Sequence, residues 1–272
     1  MLNLKHLIVN ADDFGVSMPV NKGIIAGHKK GIITSTSILA NSPCFEESVK
    51  MLKENPTLKV GVHLNITSGK AVSNLKNLVN KNNNFKFYNQ HLLGLYLIDN
   101  KEVAKELNAQ IKRVVKAGIK PDHINGHSHI HIFPYILDLI IKLAKKYKIK
   151  KIRLPIEKGP IKFGRQTWKY YMLNYYAKRS QKRFNKAGLD YSNHFYGLFL
   201  TGNPTKDYFL NILNNLEKGF TEIMVHPGYI DHNKKDWVAQ NRLNELKILT
   251  DKDIKHLIEK NQIDLTNFGR IK

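Results

Sequence analysis

Short β-type runs alternate with helical patterns along this chain of 272 residues, and that alternation limits the architectures open to it. The residue pattern predicts strands over 6–10, 34–40, 59–65, 122–129, 151–154, 196–200, 222–226 and 263–268. Helical patterns fill the intervals at 20–30, 45–54, 101–117, 135–147, 168–186, 206–218, 238–249 and 251–260. The third has the apolar rhythm Val103, Leu107, Ile111, Val114, Val115 and stops at Gly118. The last carries a start signal, with Thr250 as N-cap and Asp253 in the capping-box position. Strands and helices in this order predict an α/β fold, a parallel sheet closed into a TIM-barrel-like (β/α) barrel, with an open doubly wound sheet as the alternative. One domain over 1–272 is expected. Two long insertions, 67–100 and 156–192, break the spacing and read as lids or binding elements.

In such a barrel, chemistry sits where strands end and loops begin. Five predicted strands deliver ionisable residues there. The first ends in Asn10-Ala11-Asp12-Asp13-Phe14-Gly15 and the third in Gly61-Val62-His63-Leu64-Asn65. The fourth ends in a histidine cluster, the fifth in Arg153-Leu154-Pro155, and the seventh in His226-Pro227-Gly228-Tyr229. Random decoration would scatter such residues along the chain.

The cluster, from His123 to Ile132, holds four of the twelve histidines within nine residues. Imidazole is the commonest neutral metal ligand, and each copy is a polar group that a core must satisfy. Read as a strand, His123, Asn125, His127, His129 and His131 share one face and the isoleucines take the other. The bland alternative is a surface strand with a wet polar face. In a straight strand His127 and His131 lie about 13 Å apart, too far to share one ion. His127 is therefore the expected ligand, with His129 and His131 lining the pocket or supporting it.

Asp12 and Asp13 follow a buried-looking strand. Neighbours in extended backbone point to opposite sides, so both reach one cavity only if the chain turns, which Gly15 allows. Two like charges so close need compensation, and the natural division puts one carboxylate on a metal and leaves the other free as a base. The alternative is an Asx-type turn or helix cap. With Asp13 and His127, His63 completes a two-histidine, one-carboxylate set that leaves positions open for water and substrate.

Bulk composition narrows the class. The single cysteine, Cys44, excludes a disulfide framework and a cysteine-only zinc site. The apolar run Leu7-Ile8-Val9 is too brief for a signal peptide, and no run approaches the roughly 20 residues that span a bilayer. A cytoplasmic protein is expected. The net charge of +22 could serve polyanion binding, but the lysines are scattered among abundant Asn and Ile, as in a chain with a general compositional bias.

Taken together, the Asn10–Gly15, Gly61–Leu64, His123–His131, Arg153–Pro155 and His226–Tyr229 motifs, with Asn241-Arg242 and Glu245-Leu246, resemble the YdjC/ChbG carbohydrate deacetylases in order and over nearly the whole chain. The resemblance implies a distorted (β/α) barrel that binds one divalent metal, Mg2+ or Zn2+, and removes N-acetyl groups from amino sugars such as chito-oligosaccharides or hopanoid-linked glucosamine. It implies Asp13, His63 and His127 as metal ligands and Asp12 as the base. His226 is then the candidate acid for the leaving amine, and Arg153 either orients Asp12 or contacts substrate. Asn10 and Asn125 belong to the surrounding pocket; the family usually has Asp where this chain has Asn125, which puts metal affinity and substrate choice in question. Trp168, Tyr170 and Tyr171 could stack on sugar rings or serve a helix core. The expected partners are a small carbohydrate substrate and a second copy in a homodimer, with no nucleic acid and no stable membrane insertion. A metal-dependent phosphoesterase or isomerase on the same barrel, and a basic nucleic-acid-binding protein, are the competing readings.

Overall fold

The computed structural model describes residues 4–86, 100–158, 167–199, 201, 204–231 and 239–271. Its centre is a sheet whose strand pairs all run parallel. Strand β1 (Lys5–Phe14) runs through the middle and pairs along one edge with β7 (Gly219–Val225). Its other edge is shared: β8 (Ile263–Thr266) covers Lys5 to Ile8, and β2 (Ser35–Ile38) takes over from Asn10 to Phe14. Strands β3 (Lys59–Leu64), β4 (His123–Gly126) and β5 (Lys151–Ile152) continue beyond β2, and β6 (His194–Tyr196) flanks β7. The sheet curls, and isolated parallel bridges from Lys151 to Asp190 and from Glu157 to Phe195 link the ends of the path. This is the expected α/β barrel, distorted at the β5–β6 seam.

Period-two alternation decides which side chains face the barrel interior. Leu7, Val9 and Ala11 join the main apolar core, whereas Ile8 packs with Phe268 and Ile271 on the other face. Asn10 and Asp12 follow Ile8 on that inner face. The barrel interior therefore becomes polar toward the C-terminal end of β1.

Helices α1 (Met18–Lys30), α2 (Phe45–Lys53), α3 (Asn100–Lys116), α4 (Pro134–Lys146), α5 (Thr167–Ala187), α6 (Lys206–Asn214), α7 (Ala239–Leu249) and α8 (Lys252–Lys260) alternate with the strands. In α3 the predicted stripe Val103, Leu107, Ile111 and Val114 is buried, but Val115 is 42% exposed. The start of α8 differs from expectation. Asp251 is the N-cap, accepting the Asp253 N–H at 2.8 Å, because the Thr250 hydroxyl turns back onto the Leu246 carbonyl at 2.9 Å. Strand β6 also lies earlier than predicted, ending before Gly197, whose φ of 135° is open to glycine alone.

The described part of the 67–100 insertion is fastened to α3. Glu106 accepts the N–H groups of Val72 and Ser73, and Glu102 those of Lys76, Asn77 and Leu78. Most of the second insertion is α5; the parts of the two insertions at 87–99 and 159–166 lie outside the described residues. Among the described residues, no helix is long and apolar enough to cross a membrane.

Candidate active site

The turn that brings both carboxylates to one end of the sheet lies at Asp13 itself. Its φ is 68°, in the left-handed region that Asp tolerates better than most residues. Pairing with β2 shifts register between Ala11 and Phe14, so β1 bulges there. Gly15, φ 106°, completes the bend rather than starting it.

Asp12 is saturated with donors. Arg153 grips it with two nitrogens, Nη1 to Oδ2 at 2.6 Å and Nη2 to Oδ1 at 2.8 Å. Asn10 Nδ2, Ser37 Oγ and Asn125 Nδ2 also donate to Oδ1, at 2.8, 3.0 and 3.1 Å. Burial alone would push this carboxyl up, but the Arg153 guanidinium holds it well below the usual range. Arg153 is 0% exposed and gives its Nε to Glu222 Oε1 at 2.7 Å. Its guanidinium is thus spent on the Asp12 and Glu222 carboxylates. Glu222 was not anticipated. Its one sequence signal is an acid at an inward position of the apolar strand Thr221-Glu222-Ile223-Met224-Val225.

Asp13 faces a different set. Its Oδ2 accepts from Arg242 at 2.9 Å, and its Oδ1 lies 3.5 Å from His63 Nε2. The rings of His63 and His127 stand edge to face with centroids 5.9 Å apart. His63 Nδ1 is 2.7 Å from Asn125 Oδ1, and His127 Nδ1 is 2.5 Å from Thr67 Oγ1. Burial pushes the Asp13 carboxyl up, but its charged surroundings, the Arg242 guanidinium first among them, bring it below the usual range and keep the group ionised. Burial, offset only in part by Asp13, lowers His127 to about 4. The expected ligands are thus neighbours. Yet among the described residues no three His, Cys, Asp or Glu side chains are drawn together closely enough to hold an ion. Arg242 occupies one oxygen of Asp13, and Thr67 holds His127 by its far nitrogen. The donors themselves, two imidazole nitrogens and a carboxylate, fit a borderline or hard divalent cation.

The histidine cluster is not one strand. Strand β4 stops at Gly126, and His127 to Ile132 wind as a 3-10 turn in which Ser128 and His129 take φ of 52° and 58°. The shared face predicted from alternation therefore does not exist. His123 lies buried in the barrel, stacked on Phe268 at 3.8 Å, in space left by Gly61, whose absent Cβ would fall 2.3 Å from the ring. His129 meets Phe195 edge-on at 6.1 Å, and His131 Nε2 sits 3.0 Å from the Arg153 carbonyl. Both are buried and, by burial and the Arg153 charge, kept neutral; His131 falls to about 3. His131 thus meets the segment carrying Arg153, and His129 packs between His131 and Phe195 of β6.

His226 is half-buried on the loop after β7. Its backbone N–H donates to Glu245 Oε2 at 2.6 Å, and Arg242 Nη1 reaches its carbonyl at 3.4 Å. Burial lowers the imidazole, while Asp13 and Asp12 pull it back up. Gly228 packs on Gly23 of α1, where a Cβ would come within 2.6 Å of backbone. Arg242 and Glu245 thereby link α7 to both carboxylate and histidine.

The family model described as YdjC-like protein matches residues 6–260. The chain belongs to this family. It is 37% identical to a carbohydrate deacetylase of Brevibacillus brevis over 269 residues, covering 97% of this chain and 99% of that protein. A carbohydrate deacetylase of Thermoanaerobacter pseudethanolicus is 34% identical, with 99% and 100% covered. A solved structure from Enterococcus faecalis V583, described as a candidate cellobiose-phosphate cleavage protein, is similar with a TM-score of 0.78 and 29% identity, over 97% of this chain and 98% of that one. In this YdjC-like chain the motif residues of the first, third, fourth, fifth and seventh strands meet at one end of the barrel.

Proposed function

We propose that this YdjC-like chain is a metal-dependent carbohydrate deacetylase that hydrolyses the N-acetyl group of an amino sugar to acetate and a free amine. The observation that carries the reading is the pairing of two unlike carboxylates. Asp12 is locked as an anion by Arg153, and its neighbour Asp13 turns toward His63 and His127. The full-length relatives named carbohydrate deacetylase supply the substrate class.

Asp13, His63 and His127 would hold the divalent ion, Mg2+ or Zn2+. Once bound, it would polarise the amide carbonyl and acidify water. The remaining chemistry falls to the chain. Asp12 accepts a proton from the attacking water, and the Arg153 fork keeps its oxygens in one orientation throughout. Arg153 in turn is anchored by Glu222, so the base cannot swing away. The amine leaves only when protonated, and His226 would deliver that proton; with its imidazole lowered by its surroundings, it enters the cycle neutral and donates only after gaining one. The C–N bond breaks, water supplies oxygen to acetate, and its protons end on the amine and the solvent.

Acetate release from a panel of N-acetylated amino sugars, with and without a chelator, tests this. The reading requires release from at least one amino sugar and its loss on chelation, with recovery when Mg2+ or Zn2+ returns. Release that ignores the chelator removes the metal from the account, and no release from any member removes the deacetylase reading.

A further inference from the structure

Two hydrogen-bond relays behind the imidazoles are more specific than orientation alone requires. We propose that Thr67 and Asn65 are positioning residues that fix His127 as its Nδ1–H tautomer, and that Asn125 fixes His63 in the same form, leaving Nε2 of both rings unprotonated. The inference rests on the metal-dependent reading for its purpose but not for its geometry.

The first relay begins at Asn65. Its Oδ1 accepts the backbone N–H groups of Thr67 at 2.9 Å and Ser68 at 3.1 Å. Backbone N–H groups only donate, so this atom is the amide oxygen and not the nitrogen. The Thr67 hydroxyl lies 3.1 Å from that oxygen and 2.5 Å from His127 Nδ1. A hydroxyl has one proton. If it went to Nδ1, two oxygen lone pairs would face each other across the Asn65 contact. Given to Asn65 Oδ1, it leaves Thr67 Oγ1 free to accept Nδ1–H. Only the second arrangement satisfies both contacts.

Asn65 cannot rotate to escape the constraint. Gln110 of α3 brackets its backbone, accepting the Asn65 N–H at 2.9 Å and donating to its carbonyl at 2.5 Å. The Asn65 amide nitrogen is spent on Asn41 Oδ1 at 3.1 Å and the Ser68 carbonyl at 2.9 Å.

The second relay starts from an acceptor-only group. Asp12 is ionised, so the Asn125 atom 3.1 Å away must be its donating Nδ2. That turns Asn125 Oδ1 onto His63 Nδ1 at 2.7 Å, where it can only accept. Ser37 gives its proton to Asp12 at 3.0 Å, so toward His63 Nδ1 at 3.2 Å it is likewise an acceptor. Two independent routes, one from α3 and one from Asp12, thus impose the same tautomer. It is the form in which an imidazole keeps its Nε2 lone pair for a cation.

Long-range proton–nitrogen correlation spectra of the metal-free full chain identify which ring nitrogen bears hydrogen. His63→Gln and His127→Gln assign the two signals. Both rings should be Nδ1–H; an Nε2–H form at either ring overturns the inference for that ring. Thr67→Val should release His127 into mixed tautomers and weaken Zn2+ binding, read by competition with a colorimetric chelator, by about 10–100-fold. Thr67→Ser should restore both. A folded Thr67→Val with unchanged tautomer and unchanged Zn2+ affinity removes Thr67 from the role. The wild-type spectra and their assignment do not involve Thr67→Val, so a misfolded Thr67→Val leaves that test intact. A chain showing both Nδ1–H rings but releasing no acetate would sink the proposed function and leave this inference standing.

Discussion

Replacing Arg153 with Met removes the cation between two buried carboxylates while keeping much of the side-chain volume. Arg153 is 0% exposed and makes charge-assisted bonds of 2.6 and 2.8 Å to Asp12 and 2.7 Å to Glu222. Removing one partner of a buried pair costs about 3–5 kcal/mol, because an uncompensated charge remains. Set against a total stability of roughly 5–15 kcal/mol, that is a large fraction. At about 2–4 °C per kcal/mol for a chain of this size, the melting temperature should fall by about 6–20 °C.

The loss should depend on pH. In the native protein the guanidinium outweighs burial and holds Asp12 ionised below the usual range, so its stabilisation is complete above about pH 4 and is lost as pH falls further. In the variant, burial has lost its main counterweight and the Asp12 and Glu222 carboxyls move up, Asp12 less because Asn10, Ser37 and Asn125 still donate to it. The unfolded chain then gives up these protons before the folded one does, so the deficit grows as pH rises from about 4 to 7. Urea unfolding at pH 4.5 and 7.5, with wild type alongside, measures both effects. Adding Asp12→Asn to Arg153→Met should recover part of the loss at pH 7.5. A deficit under about 1 kcal/mol at pH 7.5, or one equal at both pH values, would refute the reasoning.

Asn125→Asp should set a second carboxylate against Asp12 Oδ1, now 3.1 Å from the amide nitrogen; acetate release and thermal stability should both drop, with the stability loss shrinking at low pH. Gly23→Ala should push the His226 loop off α1, since its Cβ would meet Gly228 at 2.6 Å; a loss of about 1–3 kcal/mol in thermal unfolding is expected, with reduced turnover. His63→Ala and His127→Ala should each lower bound Zn2+ in equilibrium dialysis, and a fully loaded variant would remove that residue from the ligand set.

Much of the fold was legible because strand and helix periods differ and the chain obeys them. The stripe Val103, Leu107, Ile111, Val114 maps directly onto the buried face of α3. Residues at strand ends were legible too, since barrel topology sends them to one side. The histidine cluster was not, because alternation says nothing of a 3-10 turn entered through Gly126 with Ser128 and His129 left-handed. Local pattern reached His127 and missed what holds it. Thr67, Asn65 and Gln110 are polar residues of ordinary appearance, separated from His127 by 60, 62 and 17 positions, and only packing of α3 against the end of β3 brings them together. Glu222 escaped for the same reason, and Arg242 was singled out only as part of a motif, without a role: their partners Arg153 and Asp13 lie 69 and 229 residues away.

The most direct test of the account is acetate release by Asp12→Asn at the same metal content as wild type. Loss of a positioned general base should lower turnover by about 100- to 10,000-fold once both proteins are loaded equally with metal, since Asp12 reaches the ligand set only through Asn125 and Ser37. Turnover equal to wild type at equal loading would contradict the role of Asp12 and with it the division of labour between the two carboxylates.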